Sequence, residues 1–166
     1  MKAAFLDRDG VINIDHGYVS KIEDFEFKEG IFELLKTLQD MGFTLFVVTN
    51  QSGIARGYYT LEDFLKLSDY MLKELKKRGF EIKEIAYCPH HPEVTGNCNC
   101  RKPKPGMILD LSKKYGINLK ESLLIGDKQS DIDAAKNAGV AKSYLVKESL
   151  FDIIKQIKSD FKGIKW

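Results

Sequence analysis

Residues 2–13 read KAAFLDRDGVIN, a largely apolar run followed at once by two aspartates. Strands covered on both faces of a parallel sheet read as continuous apolar runs, so this stretch predicts a buried strand. Asp7 and Asp9 stand two positions apart, and side chains at that spacing on an extended segment point the same way. Two carboxylates held in one small volume repel each other, so we expect a cation beside them.

Four more strand-like runs follow, each separated from the next by a helical pattern. The predicted strands cover residues 2–7, 44–49, 84–88, 122–127 and 142–146. The predicted helices cover residues 30–42, 61–79, 105–116, 130–139 and 149–161. Parallel strands need helical crossovers, so this alternation predicts an α/β fold, a doubly wound parallel sheet with helices on both faces.

The composition is that of an ordinary globular protein, and we predict one domain over residues 1–166. Hydrophobic residues make up 43% of the chain and charged residues 30%, which argues against long disorder. The net charge of +2 gives no support to nucleic-acid binding. No apolar run approaches the roughly 18 to 20 residues of a membrane span, and a signal-peptide layout is missing. We therefore expect a cytoplasmic monomer without nucleic-acid or membrane partners.

Polar residues end several of the predicted strands. In a doubly wound sheet, ligands bind beyond the carboxyl ends of the strands, where Asp7, Thr49, Cys88 and Asp127 should form one rim. Mg²⁺ prefers oxygen ligands and usually takes one or two carboxylates together with phosphate, and Asp7 and Asp127 are placed to supply them. A carboxylate beside Mg²⁺ can attack a phosphoryl group, and the carboxyl of Asp9 could then protonate the leaving oxygen.

Four short motifs occur in the same order as the motifs of haloacid-dehalogenase-type phosphatases, and the chain resembles that family. They are FLDRDG (5–10), VVTNQSG (47–53), RKPKPG (101–106) and GDKQSD (126–131). The resemblance implies that Asp7 is a nucleophile that forms an aspartyl-phosphate and that Asp9 is the general acid/base. It also implies that Thr49 and Lys102 hold the phosphoryl oxygens. Mg²⁺ would be bound by Asp7, Asp127 and the backbone carbonyl of Asp9.

The segment CPHHPEVTGNCNC (88–100), called the cysteine loop below, contains all three cysteines of the chain and two of its three histidines. The cysteines are Cys88, Cys98 and Cys100. Together with one histidine they form a set of four that suits a closed tetrahedral zinc site, so we predict a structural zinc. The spacing does not choose between His90 and His91. The loop runs directly into Lys102, so the zinc would help to place that lysine.

Five longer stretches narrow the resemblance to the family of D-glycero-D-manno-heptose 1,7-bisphosphate 7-phosphatases, over roughly residues 3–147. They are FLDRDGVIN (5–13), DHGYV (15–19), TNQSGIARG (49–57), CPHHP (88–92) and CNCRKPKPGM (98–107). This resemblance implies removal of the 7-phosphate from a heptose bisphosphate used in lipopolysaccharide or surface-glycan precursor synthesis. It also implies that His90 completes the zinc site. Only seven residues separate His90 from Cys98, fewer than is typical of the family, so the preferred anomer stays open.

Further substrate contacts are implied by the same resemblance. They are Asp15, His16, Gly17, Tyr18, Thr49, Asn50, Gln51, Ser52, Arg101, Lys102 and Lys128. Arg101 is the best candidate for recognising the sugar or its anomeric phosphate, because a guanidinium fork matches phosphate oxygens. Arg56 either meets the substrate as well or forms an ordinary salt bridge.

Three other functions are alternatives to a heptose bisphosphate phosphatase. A histidinol-phosphate phosphatase would use the same chemistry, although Arg101 beside Lys102 favours a second anion on the substrate. A receiver domain of a signalling protein also phosphorylates an aspartate, but its acid pair is usually adjacent, whereas Asp7 and Asp9 flank Arg8. A zinc-stabilised binding module with an inactive core is disfavoured because every catalytic position is filled. The connections are too short for a separate cap domain, so we predict an open, capless site.

Overall fold

Five parallel strands form the sheet in the computed structural model, which describes residues 1–163. The strands are β1 (Ala3–Leu6), β2 (Thr44–Asn50), β3 (Ile82–Cys88), β4 (Leu123–Gly126) and β5 (Lys142–Leu145). They lie in the order β3-β2-β1-β4-β5, and every neighbouring pair is parallel. The predicted doubly wound sheet is confirmed, and its topological switch point falls between β1 and β4. The predicted single domain extends to residues 164–166, which lie outside the described residues.

Helices cover both faces of this sheet. They are α1 (Ile31–Asp40), α2 (Leu61–Lys77), α3 (Pro92–Thr95), α4 (Gly106–Tyr115), α5 (Gln129–Ala138) and α6 (Leu150–Asp160), with 3₁₀ turns at Ile22–Asp24 and Leu119–Glu121. The five predicted helices are all found, and their ends differ from the predicted ones by at most two residues. The short helix α3 was not predicted, because four residues are too few to show a helical period.

The ends of α2 and α4 follow from local side-chain chemistry. The Thr60 hydroxyl accepts a hydrogen bond from the Asp63 N–H at 3.1 Å, and the Asp63 carboxylate accepts one from the Thr60 N–H at 3.0 Å, which forms a capping box. Gly116 ends α4 with φ at +66°, a conformation that favours glycine. Pro105, predicted in the first turn of α4, lies one residue before that helix.

The core has two layers because successive residues of β1 face opposite sides of the sheet. Ala4 and Leu6 pack in the layer of α1, α2 and α6, whereas Ala3 and Phe5 pack in the layer of α4 and α5. All four side chains are fully buried, which explains why this strand reads as a continuous apolar run. β1 therefore delivers the residues that follow it to a fixed point at the centre of the sheet edge.

The long connections carry little regular structure. Between β1 and α1, the described chain forms one 3₁₀ turn and two isolated bridges, at Asp9–Asn13 and Asn13–Phe27. Residues 51–60 join β2 to α2 without a helix or strand. No cap domain is inserted at either place in the described chain. Within residues 1–163, no helix is both long and apolar enough to cross a membrane.

Candidate active site

The carboxyl ends of three neighbouring strands bring the predicted catalytic residues together. Asp7 directly follows β1, Asp127 directly follows β4, and Thr49 lies at the end of β2. The Asp7 N–H donates to the Ile125 carbonyl at 3.0 Å, which ties the end of β1 to β4. The strand-end site, defined here as Asp7, Asp9, Thr49, Lys102 and Asp127, is therefore built on the switch point of the sheet.

Lys102 is the cation that lies against Asp7. Its side chain is buried, and Nζ lies 3.0 Å from Asp7 Oδ1, 2.6 Å from Asp131 Oδ1 and 2.8 Å from the Val48 carbonyl. These three acceptors match the three N–H donors of an ammonium group. Burial lowers the pKa of Lys102, but the charges of Asp7 and Asp131 outweigh it and raise that pKa above its ordinary value. The ammonium is therefore charged at neutral pH.

Asp131 was not predicted as a site residue. It stands in the first turn of α5, where its Oδ2 accepts from the Lys128 N–H at 3.1 Å while Oδ1 pairs with Lys102. Its carboxyl also lies against Gly126, where a Cβ would come within 2.4 Å of Oδ2. The GDKQSD motif was the available signal, since it ends on this residue.

The two strand-end aspartates have raised pKa values. Burial raises the pKa of Asp7 well above its usual range, Lys102 opposes that rise, and the acids Asp131, Asp127 and Asp9 add to it. Burial also raises the pKa of Asp127. Neighbouring buried carboxylates ionise together more easily when a cation lies between them.

The arrangement around Asp127 fits a hard divalent cation. Carboxylate oxygens of Asp7, Asp127 and Asp131 all lie within 4.8 Å of one another. Asp127 Oδ1 is buried and has no hydrogen-bond partner among the described residues. Gly10 has φ at +90°, and a Cβ there would lie 2.0 Å from Asp127 Oδ2, so only glycine leaves room for this carboxylate. Both oxygens of Asp131 are engaged, Oδ1 by Lys102 and Oδ2 by the Lys128 N–H, whereas Lys102 and the Arg8 N–H contact only Oδ1 of Asp7. The carboxylates of Asp7 and Asp127 are therefore the ones available to Mg²⁺.

The side chain of Asp9 turns away from these three carboxylates. Its Oδ1 accepts from Arg8 Nη2 at 2.8 Å, Arg8 Nε at 3.3 Å and Asn13 Nδ2 at 3.0 Å. Arg8 is almost completely buried, and its Nη2 also donates to the Val19 carbonyl at 2.7 Å. The sequence analysis assigned no role to Arg8, although a charge between two site acids was a usable signal. Asp9 Oδ2 accepts from Gln51 Nε2 at 3.2 Å.

Asn50 and Gln51 hold the site together with their amide groups. The Asn50 side chain accepts from the Lys102 N–H at 3.0 Å and donates to the Lys102 carbonyl at 3.3 Å, so it clamps the backbone of the lysine. The Gln51 side chain is only 2% exposed and donates to Thr49 Oγ1 at 2.9 Å. Both residues were predicted as substrate contacts, but their amides are already engaged by the protein.

A cavity of about 560 Å³ opens beside Asp9. Most of the predicted substrate contacts line it; they are Asp15, Gly17, Tyr18, Asn50, Gln51, Ser52, Arg101, Lys102 and Lys128. His16 does not line it and lies 3.8 Å from Glu26 instead. Arg56 also lines the cavity, and its Nη2 lies 2.7 Å from His91 Nε2, so its contact is a histidine and not the carboxylate of a salt bridge. Arg56, Arg101 and Lys128 form the basic part of the cavity lining, called its basic side below.

The three cysteines of the cysteine loop also come together. Their sulfurs all lie within 4.8 Å of one another, and Cys88 Sγ and Cys98 Sγ are 3.6 Å apart. Two thiolates on one tetrahedral zinc would be about 3.8 Å apart, given a Zn–S bond of about 2.3 Å. The donor set therefore fits zinc. Burial raises the pKa of Cys88.

The fourth ligand is less well defined than the three sulfurs. Within the described chain, neither ring nitrogen of His90 lies within 4.8 Å of all three sulfurs. His91 is turned elsewhere, since its Nδ1 accepts from the Glu93 N–H at 3.2 Å and its Nε2 meets Arg56. The spacing left two histidines open. His90 is the one whose ring makes no hydrogen bond or ion pair among the described residues.

Fold and site together are those of haloacid-dehalogenase-like hydrolases, and a family model described as HAD-hydrolase-like matches residues 99–153. A D-glycero-beta-D-manno-heptose-1,7-bisphosphate 7-phosphatase of Helicobacter pylori is 54% identical over 149 residues, which cover 89% of this chain and 84% of that protein. A D-glycero-alpha-D-manno-heptose-1,7-bisphosphate 7-phosphatase of Campylobacter jejuni is 53% identical over 147 residues, which cover 89% and 83%.

Solved structures agree with these sequence relatives. The D,D-heptose 1,7-bisphosphate phosphatase of B. bronchiseptica, solved with magnesium and phosphate, superposes with a TM-score of 0.84 at 29% identity, covering 96% of this chain and 99% of that one. The chain therefore belongs to the D-glycero-D-manno-heptose-1,7-bisphosphate 7-phosphatase family of haloacid-dehalogenase-like hydrolases. The resemblance read from the sequence motifs is confirmed.

Proposed function

We propose that this protein is a Mg²⁺-dependent phosphatase that removes the 7-phosphate of D-glycero-D-manno-heptose 1,7-bisphosphate, in the supply of heptose precursors for lipopolysaccharide or surface glycans. One observation carries the proposal: the buried Asp7 carboxylate is paired with Lys102 beside the unpartnered Oδ1 of Asp127. Asp9 stands two residues on, with its carboxyl held at the edge of the cavity. The names of the curated relatives supply the substrate.

The reaction has two steps in this proposal. A carboxylate oxygen of Asp7 forms a bond to phosphorus while the bond to the sugar oxygen breaks, and that oxygen takes its proton from Asp9. Asp9, now a carboxylate, then removes a proton from water as the water oxygen attacks phosphorus and releases Asp7. Lys102 and Thr49 would hold the phosphoryl oxygens through both steps, with a phosphoryl oxygen replacing one of the three present acceptors of the lysine.

Two metals have separate roles. Mg²⁺, held by Asp7 and Asp127 with the Asp9 carbonyl, would neutralise charge on the phosphoryl oxygens and permit Asp7 to approach as an anion. A structural zinc on Cys88, Cys98 and Cys100, with His90 as the fourth ligand, would fix the cysteine loop. Arg101 Nη1 donates to the His90 carbonyl at 3.4 Å, so the loop and the substrate side of the cavity are connected.

The basic side of the cavity favours a substrate with a second anion. Arg101, Arg56 and Lys128 can meet the anomeric phosphate while the 7-phosphate lies against Lys102. Histidinol phosphate carries an ammonium group in place of that anion and would be repelled there. We also propose that the protein works as a cytoplasmic monomer, which gel filtration with light scattering would test.

The test is steady-state phosphate release with Mg²⁺ from both anomers of the heptose bisphosphate and from histidinol phosphate. We expect kcat/KM for one anomer to exceed that for histidinol phosphate by ~100-fold or more, a difference of roughly 2.7 kcal/mol in transition-state stabilisation. ³¹P NMR of the product should show that the anomeric phosphate remains. Asp7→Asn is the control for background hydrolysis. A preference for histidinol phosphate would reject the heptose bisphosphate as the substrate but would leave the proposed phosphatase mechanism standing.

A further inference from the structure

Gln51 contacts two groups that the proposed reaction uses. Its side-chain Nε2 donates to Asp9 Oδ2 at 3.2 Å and to Thr49 Oγ1 at 2.9 Å. The hydroxyl of Tyr59 donates to Gln51 Oε1 on the other side of the amide. Gln51 and Tyr59 are both buried, and both lie in the lining of the cavity. One amide thus connects the acid, the threonine and a tyrosine from outside the recognised motifs.

The direction of this amide matters. An amide carries donors on nitrogen and acceptors on oxygen, and turning it by 180° exchanges them. With Tyr59 donating to Oε1, the nitrogen faces Asp9 and can stabilise its carboxylate. In the opposite orientation, Oε1 would face Asp9 Oδ2, where it would repel the carboxylate or hold the proton of the acid. Tyr59 can lie this close because Gly53 has no side chain: a Cβ there would be 2.2 Å from the ring.

The two oxygens of Asp9 are not equivalent. Oδ1 accepts two hydrogen bonds from Arg8 and one from Asn13, so its lone pairs are used by donors. Oδ2 accepts only one bond among the described residues, from Gln51 at 3.2 Å, which leaves it room for a proton. Asp9 also lines the cavity in which the leaving group would sit.

We propose that Gln51 and Tyr59 are positioning residues that hold Asp9 so that Oδ2 delivers the proton to the leaving oxygen. This inference rests on the proposed phosphatase function. In the step concerned, the bond from phosphorus to the leaving oxygen breaks, the O–H bond of Asp9 breaks with it, and the proton passes to that oxygen. Asp9 is left as a carboxylate, with Oδ2 stabilised by the Gln51 amide.

The leaving group provides the test, because only a poor leaving group needs the proton. The alcohol of the heptose phosphate leaves as an alkoxide unless it is protonated, whereas p-nitrophenol leaves as a stable phenolate. For Tyr59→Phe and for Gln51→Met, we expect kcat/KM on the heptose bisphosphate to fall by about tenfold, part of the 10²–10⁴ that a general acid contributes. This ratio reports the step in which the leaving oxygen departs and not the later step that both esters share. On p-nitrophenyl phosphate the loss should stay under about threefold, and KM should change little on either substrate.

Tyr58→Phe is the matched control, because it removes a hydroxyl from the adjacent residue, whose side chain is 59% exposed. It should leave the ratio of the two activities at the wild-type value. Thermal unfolding of each variant shows whether it is folded, and Tyr59→Phe retains the ring if Gln51→Met does not fold. Equal losses on the two esters would overturn the inference while leaving the phosphatase proposal standing. A wild-type protein that hydrolyses neither ester would overturn both.

Discussion

The strand-end site and the cysteine loop lie side by side, yet they are held together in different ways. In the strand-end site, parallel strands deliver Asp7, Thr49 and Asp127 to one edge, and Lys102 is already paired with two carboxylates. In the cysteine loop, three sulfurs converge from a segment with only one short helix, α3. The first site is assembled by the fold, whereas we propose that the second depends on a metal to stabilise it.

The largest effect should come from the acid of the strand-end site. Asp9→Asn keeps the shape of the side chain but has no proton to give, so we expect turnover of the heptose bisphosphate to fall by up to ~10⁴-fold. Phosphate release measures this, and circular dichroism should show a folded protein. Turnover within tenfold of wild type would reject Asp9 as the acid.

Breaking the buried ion pair should affect both activity and stability. Lys102→Met leaves Asp7 and Asp131 buried without their cation, which should cost about 3–5 kcal/mol of unfolding free energy. Turnover should fall by roughly 10³-fold, since a positioned donor to the phosphoryl oxygens is lost. Denaturant unfolding and phosphate release measure the two effects. Lys113→Met, on an exposed lysine of α4, is the control and should change neither substantially.

Removing zinc from the cysteine loop should show how far the activity of the strand-end site depends on that loop. Elemental analysis should find about one zinc per chain, and Cys98→Ser should lose it and become more sensitive to proteolysis within residues 88–100. Because the loop leads into Lys102, we expect turnover to fall on the order of tenfold, through misplacement of that lysine. Full activity without zinc would show that the strand-end site does not depend on the loop.

The smallest expected effect is the contribution of Asp7 to the pH dependence of thermal stability. Its native pKa is raised by burial, so ionisation of Asp7 opposes folding at neutral pH and this penalty disappears as the pH falls below the unfolded-state value. Without Mg²⁺, Asp7→Asn should therefore have a higher Tm than wild type at pH 7, and the gain should shrink towards pH 4. Differential scanning fluorimetry in EDTA measures this. A variant that is less stable than wild type at pH 7 would contradict the raised pKa.

Local patterns predicted the elements well because each has a local cause. The apolar run before Asp7 and the capping box at Thr60 and Asp63 depend on residues that are close in sequence. The side chains that contact each other inside the site are far apart in sequence. Lys102 and Asp7 are 95 positions apart, so their contact exists only after β1 has been placed beside β2.

The functional residues that could not be predicted from the sequence also depend on contacts between distant parts of the chain. Arg8 offered a charge between two acids, but its burial depends on the fold around Val19 and Phe64. Tyr59 gave no signal, since its role depends on the path of the chain past Gly53. For Asn50 and Gln51 the substrate contacts stay a prediction, and their contacts within the protein could be seen only in the fold.

From the sequence alone came the doubly wound class, the strand ends that carry Asp7 and Asp127, the cluster of cysteines and the family. These follow from periodicity and residue type, which are properties of neighbouring positions. The tertiary structure alone decided that Asp131 shares Lys102 with Asp7, and that Gln51 lies between Asp9 and Thr49. The physical reason is that a buried charge or amide must find partners, and the packing of the strands and helices determines which ones come within reach.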